Sequence, residues 1–270
     1  MRAERFESAL WETASLLIVA GGEAVAIDPC ISSEEVARIV ARADELGTRV
    51  VAVLATHADW DHVCGIAAFP DAEAAMGELT ASRIESGEPW LRIERAAEEY
   101  GLEVAGPPRV DRRLAPGAAH RIGPFAVATL ALPGHTPDGT AFRIRSLDLL
   151  AVGDHLSTAE FPFASSTAGY RATLAGLIDV LRRDPPRRVL HGHGPELTAA
   201  EALAVAEADL DYLWRLHDAV AGALADGGGR DGAREAGLAV ELPRAAPDDL
   251  AELRAGNVEA QLAELLPAAG

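Results

Sequence analysis

Lysine is missing altogether: the 24 basic residues of this 270-residue chain are all arginine, set against 42 acidic ones for a net charge of −18. So acidic a surface repels phosphate backbones and lacks the basic stripe of a nucleic-acid binder, which disfavours a nuclease. Cysteine is almost missing too. Cys30 and Cys64 cannot build a disulfide framework, and a compartment that keeps them reduced is expected. Cys64 lies two residues after His62, but as a small buried apolar residue it needs no chemical role. No run approaches the roughly 18 apolar residues of a membrane span. Met1 to Ser8 lacks the apolar core of a secretory signal. The expectation is a cytoplasmic protein with no membrane partner, built as one large domain or two small ones.

What the chain does hold is concentrated in Thr56-His57-Ala58-Asp59-Trp60-Asp61-His62. Four potential metal ligands fall within six residues, directly after the apolar, β-branched run Arg49 to Ala55, which reads as a buried strand. The cluster therefore sits on the loop leaving a strand's carboxyl end, where open α/β sheets place their sites. Imidazoles suit zinc and iron, and carboxylates can bridge ions or complete the shell. A solvated turn also holds Asp and His, though rarely at this density.

Upstream, Ser15 to Ala20 and Glu23 to Asp28 read as a hairpin joined at Gly21-Gly22, and Asp28-Pro29 breaks the second strand. Ser32 to Glu35 fits a capping box ahead of Val36, Ile39, Val40 and Ala43 at helical spacing, with Gly47 as the stop. Residues 71–101 read as helical. Strands return at Phe125 to Leu132, Ala141 to Arg145, Leu149 to Val152 and Arg187 to Leu190. Tyr170, Leu174, Leu177, Ile178 and Leu181 mark an amphipathic helix stopped by Asp184-Pro185-Pro186. The stretch 198–266 is helical, broken at Asp226 to Arg230. Three late strands end on histidine-bearing loops: Pro133-Gly134-His135-Thr136, Gly153-Asp154-His155 and His191-Gly192-His193-Gly194. With the first loop these hold six of the eight histidines; His120 and His217 stand apart.

This ordered set resembles the metallo-β-lactamase-fold superfamily, whose signature T-H-x-H-x-D-H loop is followed by P-G-H-T, a G-D turn and a late G-H-G. The resemblance covers roughly residues 10 to 200. It implies an α/β protein, an αββα four-layer sandwich with a metal centre along one edge between the sheets. Residues 1–197 would form that core and 198–270 a helical C-terminal extension packed on it. Carried over by position, His57, Asp59 and His135 would hold one divalent ion and Asp61, His62 and His193 a second, with Asp154 bridging. A hydroxide between the ions would attack a carbonyl or phosphoryl centre.

One position departs. The family's second histidine is Asp59 here, a shorter ligand with a negative charge, which weakens the field on the bound hydroxide. Zinc remains the expected metal, while harder oxygen ligation raises the odds of iron or manganese. Replacing Asp59 with histidine should restore ordinary two-zinc loading if that residue alone sets the preference. Flavodiiron relatives carry glutamate at this position, but they also need a flavin-binding domain for which the helical last 70 or so residues leave no room.

Asp61, His155 and Tyr170 are candidates for the chemistry itself: His155 could hydrogen-bond substrate, and Tyr170 could polarise a carbonyl, as a tyrosine does in lactonase members, or simply be core. His191 could replace or supplement His193, although the G-H-G match favours His193. Trp60 could stack on substrate or pack beneath its loop, and Glu160-Phe161-Pro162-Phe163 could line an apolar pocket. The implied function is metal-dependent hydrolysis of a small-molecule ester, thioester or lactone. The rival is a non-catalytic or regulatory member whose first metal site Asp59 has crippled. Leu203, Ala206, Leu210, Leu213 and Trp214 form a stripe that packs on the core or against a second copy in a homodimer.

Overall fold

The computed structural model describes residues 1–245 and 251–266, so 246–250 of the expected helical stretch lie outside the described residues. The chain divides into two compact units. The first comprises Met1–Ala131, Asp138–Gly153 and Pro186–Glu196; the second comprises Leu132–Pro137, Asp154–Pro185 and the described residues of Leu197–Gly270.

Both sheets belong to the first unit. One has six strands in sequence order: β1 (Arg2–Glu7), β2 (Ala14–Ala20), β3 (Glu23–Ile27), β4 (Arg49–Ala55), β5 (Glu73–Gly77) and β6 (Arg112–Leu114). The first three pair antiparallel, and β3 to β6 run parallel. The other sheet contains β7 (Ala119–Ile122), β8 (Phe125–Ala131), β9 (Thr140–Ile144), β10 (Leu149–Ala151) and β11 (Arg188–Leu190), in the spatial order β11-β10-β9-β8-β7.

Strand alternation divides the apolar residues between two cores. Leu17, Val19, Val53 and Ala55 join Val36 and Ile39 of helix α1 (Ser33–Glu45) on the outer face of the six-stranded sheet. Their neighbours Leu16, Ile18, Ala52 and Leu54 meet Phe125, Val127, Phe142 and Ile144 of the second sheet. A strand covered on both faces is apolar throughout, which is why β2 and β4 read as continuous runs.

The expected hairpin, capping box and Gly47 stop are all present; Ser32 accepts from the Glu35 N–H while the Glu35 carboxylate takes the Ser32 N–H. The region 71–101 needs correction. It opens with β5, parallel to β4, before α3 (Glu78–Glu85) and α4 (Glu88–Tyr100). The residues of β5 are Glu-Ala-Ala-Met-Gly, without the β-branched side chains that mark a strand, and neighbour pairing overrides their weak local preference. A four-residue helix, α2 (Trp60–Val63), precedes β5 in the chain.

The second unit is helical in its described elements: α5 (Thr167–Arg183), α6 (Ala199–Ala225), α7 (Gly229–Ala239) and α8 (Ala251–Leu265), with α6 packed against the other three. Ala206 and Leu213 of the expected stripe are buried, Leu203 and Leu210 half-buried, and Trp214 is 49% exposed beneath the Arg171 guanidinium. No helix among the described residues is long and apolar enough to cross a membrane.

Candidate metal centre

The ligand loop begins where β4 ends. Asp59 stands at the N-terminal boundary of α2 without a side-chain capping bond, and the single turn of α2 carries Asp61 and His62 into the interior; His57, Asp61 and His62 are all buried. The histidines are oriented by a residue read from sequence only as a strand break. Asp28 follows β3, and the parallel register of Ile27 with Leu54 sets it beside the start of the ligand loop. Its Oδ1 accepts from the Thr56 N–H at 2.7 Å, and its Oδ2 from the Thr56 hydroxyl at 2.6 Å and from His62 Nδ1 at 3.0 Å. Because the Thr56 hydroxyl gives its proton to Asp28, its oxygen accepts from His57 Nδ1, 3.1 Å away. One buried carboxylate thus fixes two imidazoles, His62 directly and His57 through Thr56. Asp28 reaches these partners from a left-handed backbone, φ +47°, which aspartate tolerates better than most residues.

His193 arrives from β11. Its Nδ1 meets the Trp11 carbonyl at 3.0 Å and the Thr13 hydroxyl at 3.4 Å. A carbonyl only accepts, so this nitrogen carries the proton and Nε2 presents a lone pair. The Nε2 atoms of His62 and His193 lie 3.3 and 3.5 Å from Asp61 Oδ2. Asp61, His62 and His193 offer one ligand atom each within 4.8 Å of one another, all buried. A carboxylate and two correctly protonated imidazoles at this spacing suit a divalent ion.

Asp59 has a partner that the sequence did not announce. Arg83 of α3 places Nη2 2.7 Å from Asp59 Oδ1, while Asp59 Oδ2 lies 3.6 Å from His57 Nε2. Arg83 also bridges Glu88 at 2.8 Å and Asp138 at 3.1 Å, and Asp138 accepts from the Ala58 N–H at 2.8 Å. The added negative charge at position 59 is therefore met by a guanidinium, which Glu88 and Asp138 share.

The second unit holds its own group. His135 Nδ1 donates to the Phe163 carbonyl at 3.0 Å, and its Nε2 lies 3.2 Å from Asp154 Oδ2. His155 lies against the ring of Tyr170, centroids 4.6 Å apart. Tyr170 is wholly buried, its hydroxyl 3.5 Å from the Asp154 carbonyl, and burial pushes its phenol well above the ordinary range. Gly134 sits at φ +136°, and a Cβ there would fall 2.3 Å from Tyr170 Cα. That close approach is what glycine provides beside His135.

Other candidates fall elsewhere. His191 lines a small cavity with Leu16, Asp28 and Thr56, and burial lowers its imidazole to about 4. Cys64 is buried, its thiol directed at the Ile31 carbonyl, and burial pushes it up. Trp60 forms a cluster with Trp11 and Tyr100, ring centroids 5.3 and 6.1 Å away. Phe161 is buried, and Asn257 holds the following turn by donating to the Pro162 carbonyl at 2.7 Å.

The chain is 28% identical over 157 residues to the probable metallo-hydrolase YqgX of Bacillus subtilis, covering 56% of this chain and 72% of that protein. It is 31% identical over 137 residues to a hydroxyacylglutathione hydrolase of Cereibacter sphaeroides, covering 51% of this chain but only 44% of that relative's length. A metallo-beta-lactamase family protein from Thermus thermophilus shares the fold at a TM-score of 0.69 and 19% identity, over 98% of this chain and 92% of its own. The αββα metallo-β-lactamase type expected from the ligand loops is thus the fold found. The model of the metallo-beta-lactamase superfamily matches residues 10–193, from before the hairpin to His193, and the chain belongs to that superfamily.

Proposed function

We propose that this chain is a metal-dependent hydrolase acting on a small ester, thioester or lactone, with the likeness to a hydroxyacylglutathione hydrolase favouring a thioester. The observation that carries the reading is a shared protonation pattern. His57, His62, His135 and His193 each give an Nδ1 proton to an oxygen and turn Nε2 to a carboxylate oxygen. Four imidazoles poised alike serve metal binding and no ordinary packing need.

The motif positions assign His57, Asp59 and His135 to one ion, Asp61, His62 and His193 to the other, and Asp154 to both. Zinc is the metal proposed, with iron or manganese favoured over it only as far as the oxygen-rich donor set allows. Two such ions would lower the pKa of water and polarise the scissile carbonyl. The chain's part is to fix their ligands: Asp28 and Thr56 hold His57 and His62, and the Trp11 carbonyl holds His193. Tyr170, buried with its hydroxyl on the Asp154 backbone, is assigned to supporting that segment, and His155 beside it to hydrogen-bonding substrate.

The test is a metal count on protein purified without added metal, followed by ester, thioester, lactone and phosphodiester substrates. Turnover lost on chelation and in His62→Ala and Asp154→Ala is expected. Full activity in both variants would sink the mechanism. Tight ligand binding without turnover would favour the regulatory alternative, as would a single ion per chain.

A further inference from the structure

Replacing a neutral imidazole with a carboxylate at position 59 changes a ligand set by one unit of charge, and buried sets tolerate such a change only when something compensates it. Here the two oxygens of Asp59 have separate tasks. Oδ1 lies 2.7 Å from the Arg83 guanidinium, and Oδ2 is turned to the ligand His57, 3.6 Å from its Nε2. The guanidinium is itself fixed by Glu88 at the start of α4 and by Asp138, groups with no place in the ligand motif. Its remaining nitrogens are spent on these carboxylates, so Arg83 is not poised to receive a substrate anion.

We propose that Arg83 is a positioning residue for the first metal site: it anchors Oδ1 of Asp59 and so turns Oδ2, the oxygen that stands in for the family's imidazole nitrogen, to the ion. This rests on the metal-centre reading above. The ion pair at Oδ1 limits the rotation open to a lone aspartate, and Glu88 and Asp138 in turn fix the guanidinium. The consequence reverses the expectation from residue 59 alone. Asp59→His by itself would leave a guanidinium facing the ion without its partner, so it should impair loading rather than restore it.

The experiment is calorimetric titration of the chelator-stripped full chain with Zn2+ and with Co2+. It compares wild type, Arg83→Gln, Asp59→His, the double variant and Arg83→Lys. Asp138 and Glu88 are present in all five, so differences read the pair. Arg83→Gln should loosen the first-site ion roughly tenfold, the lower end of the loss seen when a partner that orients a metal ligand is removed. Asp59→His should loosen it by a similar factor. The double variant should return to the wild-type value, and Arg83→Lys, which keeps the charge, should not tighten. A purely structural role for Arg83 would give additive losses in the two single variants and no recovery in the double. Weakening in both single variants, additive in the double, overturns the pairing while leaving the metal centre standing. A wild-type chain that takes up no ion overturns both. Urea unfolding of the stripped proteins checks folding; should Arg83→Gln not fold, tighter binding by Asp59→His or by Arg83→Lys overturns the pairing on its own.

Discussion

At the scale of single residues, Asp28 has the widest reach for its size. It takes protons from the Thr56 N–H, the Thr56 hydroxyl and His62 Nδ1, so its loss unseats His62 directly and His57 through Thr56. Asp28→Ala is expected to cost about 10- to 100-fold in metal affinity, measured by competition with a chromophoric chelator. An unchanged affinity would remove Asp28 from the site. Gly134 makes a different demand. At φ +136°, with Tyr170 Cα 2.3 Å from where a Cβ would stand, Gly134→Ala should lower the stability by more than about 2 kcal/mol in urea unfolding. Sequence reading found the glycine beside His135 but not the neighbour that makes it necessary. Asp28 was equally visible as a residue and invisible as a partner, because its role depends on the register of β3 with β4.

At the scale of elements, α6 carries a buried charge. Asp209 is 1% exposed and pairs with Arg244, whose guanidinium also donates to the Glu160 carbonyl at 2.6 Å. Burial outweighs the guanidinium and pushes the Asp209 carboxyl up to about 7. A carboxyl raised in the folded state keeps its proton longer than in the unfolded chain. Its contribution to stability is full below the ordinary value near 3.8 and is lost as pH rises through about 7. Asp209→Asn has no such loss, so its stability relative to wild type should climb across that window in urea unfolding at successive pH values. A constant difference would mean Asp209 is ionised in the fold throughout. The periodicity of α5 and the break at Asp226 to Arg230 were legible beforehand because helical spacing and glycine act locally. Strand β5 was not, since Ala74 and Ala75 gain their β conformation from β4 alongside.

For the whole molecule, the first unit owes its form to the apolar layer between its sheets. Phe142 on β9 is fully buried there with Leu16, Ile18 and Phe125. Phe142→Ala should cost about 3–5 kcal/mol, the range for emptying a large core site, read from the urea midpoint at unchanged slope. A loss well below that would mean the sheets close over the gap. The ligand loops keep their order along the chain, and each ends a strand, because a strand's carboxyl end is where the backbone leaves the sheet and can turn its side chains to a site. The sequence by itself therefore determined the superfamily, the strand-and-loop order and the candidate ligand histidines, since motif spacing and alternation are properties of neighbours in the chain. Only the tertiary structure decided which residues hold those ligands. The Asp28 bond to His62 spans 34 positions, the Arg83 bond to Asp138 55, and the Trp11 bond to His193 182. Partners so far apart in sequence meet only through strand register and helix placement, which no local pattern encodes.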